Sequence, residues 1–282
     1  MDQDLRLIWL YCWIVDAVRS IAWSGRLRSS GPSPELTDEE ALTIELRGEM
    51  EGLTSDAAIW RHARDYLRDW FPRLGSEWNF TRRCANLHVL KEEIQQCWFR
   101  PTVDWNAFDG LPLPVCKLAR ANRDKRFRGE AARSYCAAKD EKYYGFKAGA
   151  LMNSEGEIFR VWLGAANIDE RVMLEAASIA MPGLLLADKG LISKELSAVL
   201  AERDILLTTP MRKNMRDDRP PSIVPRAMRL RRRIETVFGR LVDGFNITRT
   251  HGRDFRRWSA RICRKVLAYN VLLRLDRAMI AA

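Results

Sequence analysis

The stretch GLLLADKG, residues 183–190, decides how the rest of the chain is read. Four apolar residues run without a polar break into an acid and a glycine. That is the pattern of a central strand buried on both faces, with its loop at the carboxyl end. Downstream, ISKELSAVLAERD (192–204) has helical periodicity and ILLTTP (205–210) is a second apolar strand. Upstream, KYYGFKAGALMNSEGEIFRVWLGAA (142–166) predicts a hairpin, with Asn153, Ser154 and Gly156 at the turn. A helix from about Glu170 to Ala180 joins hairpin to strand. The order hairpin, helix, strand, helix, strand implies an α/β fold, a mixed sheet with helices packed on it.

After Pro210 comes a basic loop and then a helix predicted through MRLRRRIETVFGRLVDGF (228–245). Ile234, Val237, Phe238 and Leu241 fall at i, i+3, i+4 and i+7, so one stripe packs on the sheet, and Glu235 borders it. A last helix, from about Phe255 to Met279, is expected to close this domain.

The first hundred residues have a different texture. Thr37 and Glu40 in LTDEEALTIEL have capping-box spacing. TSDAAIWRHARDYLRDWF (54–71), opened by Thr54 or Ser55, predicts a helix packed through Ile59, Ala63, Tyr66, Leu67 and Trp70. RRCANLHVLKEEIQQCWF (82–99) predicts another. The expected organisation is a small all-helical domain over 1–100 and the α/β domain over 101–282.

Charge and cysteine narrow the functions. The 282 residues carry a net charge of +10, which favours a polyanionic partner. The surplus is localised: residues 1–100 are net −3, whereas 211–265 are net +12. Any DNA reading by the first hundred residues must therefore rely on a local face. The six cysteines form no Cys-x-x-Cys pair, which argues against a zinc ribbon or disulfide framework. LIWLYCWIV (7–15) lacks a basic leader and the length of a membrane span, and reads as a buried helix. The expected location is therefore the cytoplasm, with the cell's DNA, and no membrane partner is expected. No Gly-rich phosphate loop or nucleophile elbow occurs, against a nucleotide hydrolase or serine esterase. His62 and His88 read as structural, and His251 as a candidate phosphate contact.

Three acids sit where a carboxylate is hard to justify by packing. Asp109 precedes GLPLPVC, whose prolines force an extended exit and leave the side chain at a strand end. Asp188 ends the most apolar strand. Glu235 lies on a helix dominated by arginine. Taken singly, each has an ordinary explanation, a turn or helix cap for the aspartates and an ion pair with Arg231 for the glutamate. If the strands of Asp109 and Asp188 are neighbours, those two can converge, and three carboxylates brought close together would repel one another and demand cations. Oxygen-only donors suit magnesium or manganese, and two such ions serve in-line phosphodiester displacement.

In order, FDGLPLPVC, LLLADKG, ILLTTPMRKNM and RRRIETVFGRL resemble the catalytic blocks of bacterial insertion-sequence transposases of the Asp-Asp-Glu type, which have an RNase H-like fold. LTDEEALTIEL and WNFTRRCANL extend the resemblance into the helical region. It implies that Asp109, Asp188 and Glu235 are the metal ligands; Asp104 lies five residues before the first, but the prolines and cysteine match Asp109. It also implies that Arg231 lies beside the scissile phosphate, with Lys189, Arg212, Lys213 and Asn214 near the DNA backbone. The implied activity is metal-dependent cleavage and strand transfer on double-stranded DNA, at element ends and target, by a homodimer or larger assembly with two Mg2+ or Mn2+ ions. Rival readings are an RNase H-like nuclease that cuts without joining, and a DNA-binding descendant that has lost catalysis. With about 8 phosphate contacts, binding should fall with a log-log salt slope of roughly −7.

Overall fold

The computed structural model describes residues 3–21, 34–136, 140–178, 181–212, 214–215, 219–220 and 222–281. The chain divides into two compact units.

The α/β unit, Phe99–Val242 with Arg253–Phe255, is built on a six-stranded sheet: β1 (Asn106–Lys117), β2 (Ala132–Cys136), β3 (Glu141–Asn153), β4 (Ile158–Ala165), β5 (Gly183–Leu186) and β6 (Ile205–Thr208). Its order is β2-β3-β1-β5-β6, with β4 also paired to β3. The predicted hairpin is β3–β4, turning through Gly156 at φ 85°, a left-handed conformation that glycine adopts without a Cβ clash. β1 runs antiparallel to β3 but parallel to β5, and β5 parallel to β6. This is the mixed sheet flanked by helices that the RNase H-like expectation describes. The parallel strands are joined through α6 (Glu170–Ala177) and α7 (Lys194–Ala201), and the unit continues into α8 (Ile223–Arg231) and α9 (Arg233–Asp243).

Two local expectations fail in an informative way. Asp109 is not at a strand end: β1 continues through Pro112 and Pro114, with its register against β3 shifting between Pro114 and Cys116. Prolines two residues apart aim their nitrogens at the same edge. Beyond Ala107, one edge of β1 has no strand partner among the described residues, so no ladder bond is lost there. The helix expected through 228–245 is interrupted at Arg232, which keeps helical dihedrals (φ −57°, ψ −15°) between α8 and α9. Ile234, Val237, Phe238 and Leu241 are all buried, as their spacing requires.

The second unit groups Met1–Trp98 with Asp243–Gly252 and Arg256–Ala282. It contains α1 (Gln3–Ser20), α2 (Asp38–Met50), α3 (Asp56–Tyr66), α4 (Glu77–Asn86), α5 (His88–Trp98) and nearly all of α10 (Phe255–Ala281). The capping box forms as read, Glu40 N–H donating to Thr37 Oγ1 at 3.2 Å and Thr37 N–H to Glu40 Oε2 at 2.7 Å. Ser55 rather than Thr54 caps α3. Tyr66 and Trp70 are exposed, and the helix expected over 82–99 is two helices that meet at Leu87. α1 is amphipathic rather than buried, packing Leu7, Leu10, Ile14 and Ala17 and exposing Ile8, Trp9 and Tyr11. Among the described residues no helix is long and apolar enough to cross a membrane.

The placement of α10 corrects the expected division of the chain, since α10 does not close the α/β domain. Arg264 lies fully inside the helical unit. Its Nη1 bonds Glu45 at 2.6 Å and Asp56 at 2.7 Å, and its Nε bonds Glu49 at 2.6 Å. Lys265 also bonds Glu49, and Lys91 bonds both oxygens of Glu45. Buried charges persist only when so paired. Burial alone would raise the Asp56 carboxyl, but Arg264 and Arg261 outweigh it and hold it at about 2. Part of the basic surplus of 211–265 is thus consumed in the helical core.

Candidate active site

β1 and β5 pair in parallel at Asn106 with Leu185 and Ala107 with Leu186. Extending that register by two residues sets Asp109 opposite Asp188. Adjacent strands lie about 4.8 Å apart, so the two carboxylates leave the sheet side by side. Asp104, the other early acid, is exposed and precedes β1.

Glu235 approaches from α9. Arg233 anchors that helix, its Nη1 donating to Ser154 O at 2.9 Å and its guanidinium lying 5.4 Å from the Trp105 ring centre. Glu235 falls in the first helical turn, where the dipole favours a carboxylate. The three acids meet on one cation. Arg231 Nη1 is 2.7 Å from Glu235 Oε1, and Nη2 is 3.3 Å from Asp109 Oδ2 and 3.8 Å from Asp188 Oδ1.

Arg231 is 11% exposed and Asp109 20%, whereas Asp188 and Glu235 are about half exposed at 48% and 55%. Asp109 is thus the most enclosed of the three acids, and Asp188 and Glu235 face solvent. Burial pushes the Asp109 carboxyl up to about 6, with Glu170 and Asp188 adding to the rise and Arg231 and the Gly110 N–H opposing it. The Gly110 N–H donates to Asp109 Oδ1 at 2.9 Å. Asp188 precedes a short 3-10 turn yet makes no side-chain cap bond, so the ordinary explanation of that acid does not use its carboxylate. For Glu235 the ordinary ion pair does exist, and it is one side of the larger cluster.

Sequence reading missed Glu170. It stands in the first turn of α6, a position where an acid usually serves only the helix dipole. Its Oε1 pairs with Lys147 Nζ at 3.2 Å, and a Cβ on Gly110 would lie 2.6 Å from that oxygen. Glycine at 110 therefore admits a fourth carboxylate beside Asp109. Arg171, the next residue, donates to Gly190 O at 3.1 Å and so ties α6 to the turn that carries Asp188. Neither contact has a signature in local periodicity.

Among the described residues no three His, Cys, Asp or Glu side chains stand ready as a metal cage. Arg231 occupies the space between the acids instead. The donor chemistry nevertheless suits a hard divalent cation: carboxylate oxygens only, one of them desolvated, already drawn to a positive charge. Lys189, Arg212 and Asn214 are exposed. Lys213 lies outside the described residues.

Residues 103–255 match the family model of the transposase DDE domain, more than half of the chain and all three acids. The chain belongs to this family. It is a DNA-cleaving transposase, and enzymes of this family work with divalent metal ions. A piggyBac transposase, in a cryo-EM structure of its synaptic complex with hairpin DNA, is similar over 99% of this chain and 74% of that one, at 11% identity and a TM-score of 0.49. No curated protein sequence matches the transposase.

Proposed function

We propose that this transposase binds the terminal inverted repeats of an insertion sequence, cuts the DNA there and joins the freed 3′ end to a target. Asp109, Asp188 and Glu235 are the residues that would hold metal. The observation that supports this most is the meeting of all three on the Arg231 guanidinium. Acids far apart in the chain converge where a concentrated positive charge is needed, beside a sheet floor that desolvates one of them.

Magnesium or manganese, as two ions, would activate the attacking oxygen and stabilise the leaving oxygen of an in-line displacement. The protein's own share is orientation and charge. Asp109 is fixed by β1 and by the Gly110 N–H; Asp188 is fixed by the turn that Arg171 holds; Glu235 is fixed by the anchoring of α9. Arg231, one helical turn before Glu235, supplies a planar donor fork suited to a phosphate. Lys189, Arg212, Lys213 and Asn214 would follow the DNA backbone. The helical unit would hold the element ends, and pairing of two ends calls for a homodimer or larger assembly, acting where the cell keeps its DNA.

The test uses labelled DNA carrying the element's own ends, with magnesium or manganese, and compares wild type with Glu235→Gln and Asp188→Asn. Cleavage and joining lost in both variants, with binding retained, is the expected result. Cleavage without joined products in the wild type would make it a nuclease, and binding without cleavage a non-catalytic descendant. Intact cleavage in Asp188→Asn would overturn the ligand set.

A further inference from the structure

The first hundred residues are net acidic, yet the helical unit carries a cavity of about 770 Å³ with a basic wall. It is bounded by the segment leading into α2, the loop before α4, one face of α4 and the start of α5 and α10. Arg73, Arg82, Arg83 and Arg256 line it, with Asn79 and His88 among its polar neighbours. Against these four cations stand Glu35 and Asp38, and Asp38 is engaged by Arg83 at 2.6 Å. Arg73, Arg82 and Arg256 are exposed, and among the described residues none of the three forms an ion pair. Arg82 lies 5.3 Å from the ring centre of Trp78, which is itself 66% exposed.

Arginines that only solubilise a surface gain nothing by converging on one concavity from three separate elements, because like charges repel. A guanidinium fork matches phosphate oxygens in pairs, and amide donors such as that of Asn79 add neutral hydrogen bonds at the same oxygens. Trp78 does not itself line the cavity, but its exposed indole beside Arg82 offers a flat face to an adjoining sugar or base. The three arginines come from the loop before α4, from α4 and from α10, so no single helix forms the surface. This is the local face that an acidic helical region needs in order to meet a polyanion.

We infer that this cavity is a DNA-backbone site of the helical unit, with Arg73, Arg82 and Arg256 on phosphates of the element end and Trp78 against an adjoining sugar or base. The inference rests on the proposed transposase function, and is separate from the acids of the α/β unit.

The full-length protein is titrated by fluorescence anisotropy with a labelled duplex of the element's end, across a series of salt concentrations. The variant is Arg73→Ala/Arg82→Ala/Arg256→Ala. Each lost phosphate contact lowers the log-log salt slope by about 0.9, so the triple variant should show a slope shallower by about 2 to 3 and weaker binding at low salt. The three lysine replacements should restore the slope, because charge is kept. All three residues are exposed, and an unchanged melting temperature confirms folding. A control, Arg61→Ala/Arg68→Ala, removes exposed charge from the same unit outside the cavity and should leave the slope nearly unchanged. An unaltered slope in the triple variant, or an equal loss per arginine in the control, would overturn the site while the function stands. If inorganic phosphate at matched ionic strength competes as well as duplex does, the cavity is a free-phosphate site and the DNA assignment fails. A wild type that binds no DNA at all would instead sink the functional reading on which the site rests.

Discussion

Replacing Asp109 by asparagine should stabilise the metal-free protein while destroying its chemistry. The Asp109 carboxyl is raised from an ordinary 3.8 to about 6, first by burial and then by Glu170 and Asp188, with the relief from Arg231 already included. A rise of roughly two units corresponds to about 3 kcal/mol by which the folded state prefers the neutral form. The sign follows from linkage. The folded protein holds this proton more tightly than the unfolded chain, so stability is lost as pH rises from about 4 to about 6, and the full cost is present above that window. Asparagine, neutral and of the same shape, removes the cost. Denaturant titrations with a chelator present should therefore find Asp109→Asn more stable at pH 7.5 by up to about 3 kcal/mol, or on the order of 6 to 12 °C in Tm for a unit of this size. The gap should close as pH falls toward 4. Adding magnesium or manganese should narrow it at pH 7.5, since ligand binding to the folded wild type adds stability that the variant cannot recover. A variant no more stable than wild type at pH 7.5, or a gap that ignores pH, would refute the account of a desolvated Asp109 carboxylate.

Arg264→Met should cost about 3 to 5 kcal/mol, because the change leaves Glu45, Glu49 and Asp56 buried with fewer cations. Thermal melts of the full chain measure this, and acid sensitivity should begin at higher pH, since Asp56 would lose the partner that most lowers its carboxyl. Gly110→Ala should leave Tm within a few degrees, because the Cβ meets the end of the partly exposed Glu170 side chain, which can swing away. With Glu170 displaced, Asp109 should titrate at lower pH, visible as a downward shift of the pH window in the same denaturant series.

Local pattern carried much of this protein. The apolar run into Asp188, the hairpin around Gly156, the capping box at Thr37 and the stripe Ile234–Val237–Phe238–Leu241 were all legible, because each depends on residues within a few positions of one another. The three acids could be singled out in the sequence as carboxylates in places that packing does not explain, ordered as in a known family, and the fold brings all three to Arg231. Tertiary structure decided what they do to one another. The parallel register of β1 with β5 sets Asp109 beside Asp188, and that register is a long-range choice that no local period encodes. The free edge that tolerates Pro112 and Pro114 is likewise a property of the sheet. Charge was the least legible quantity of all. Arg231, Arg264 and Arg73 are the same letter within a basic chain, yet one bridges three acids, one is locked in a helical core and one faces an open cavity. Sequence determines how many charges a chain carries; only the folded neighbours determine which of them are neutralised and which remain free to meet a phosphate, since a Coulomb interaction depends on distance and burial rather than on order along the chain.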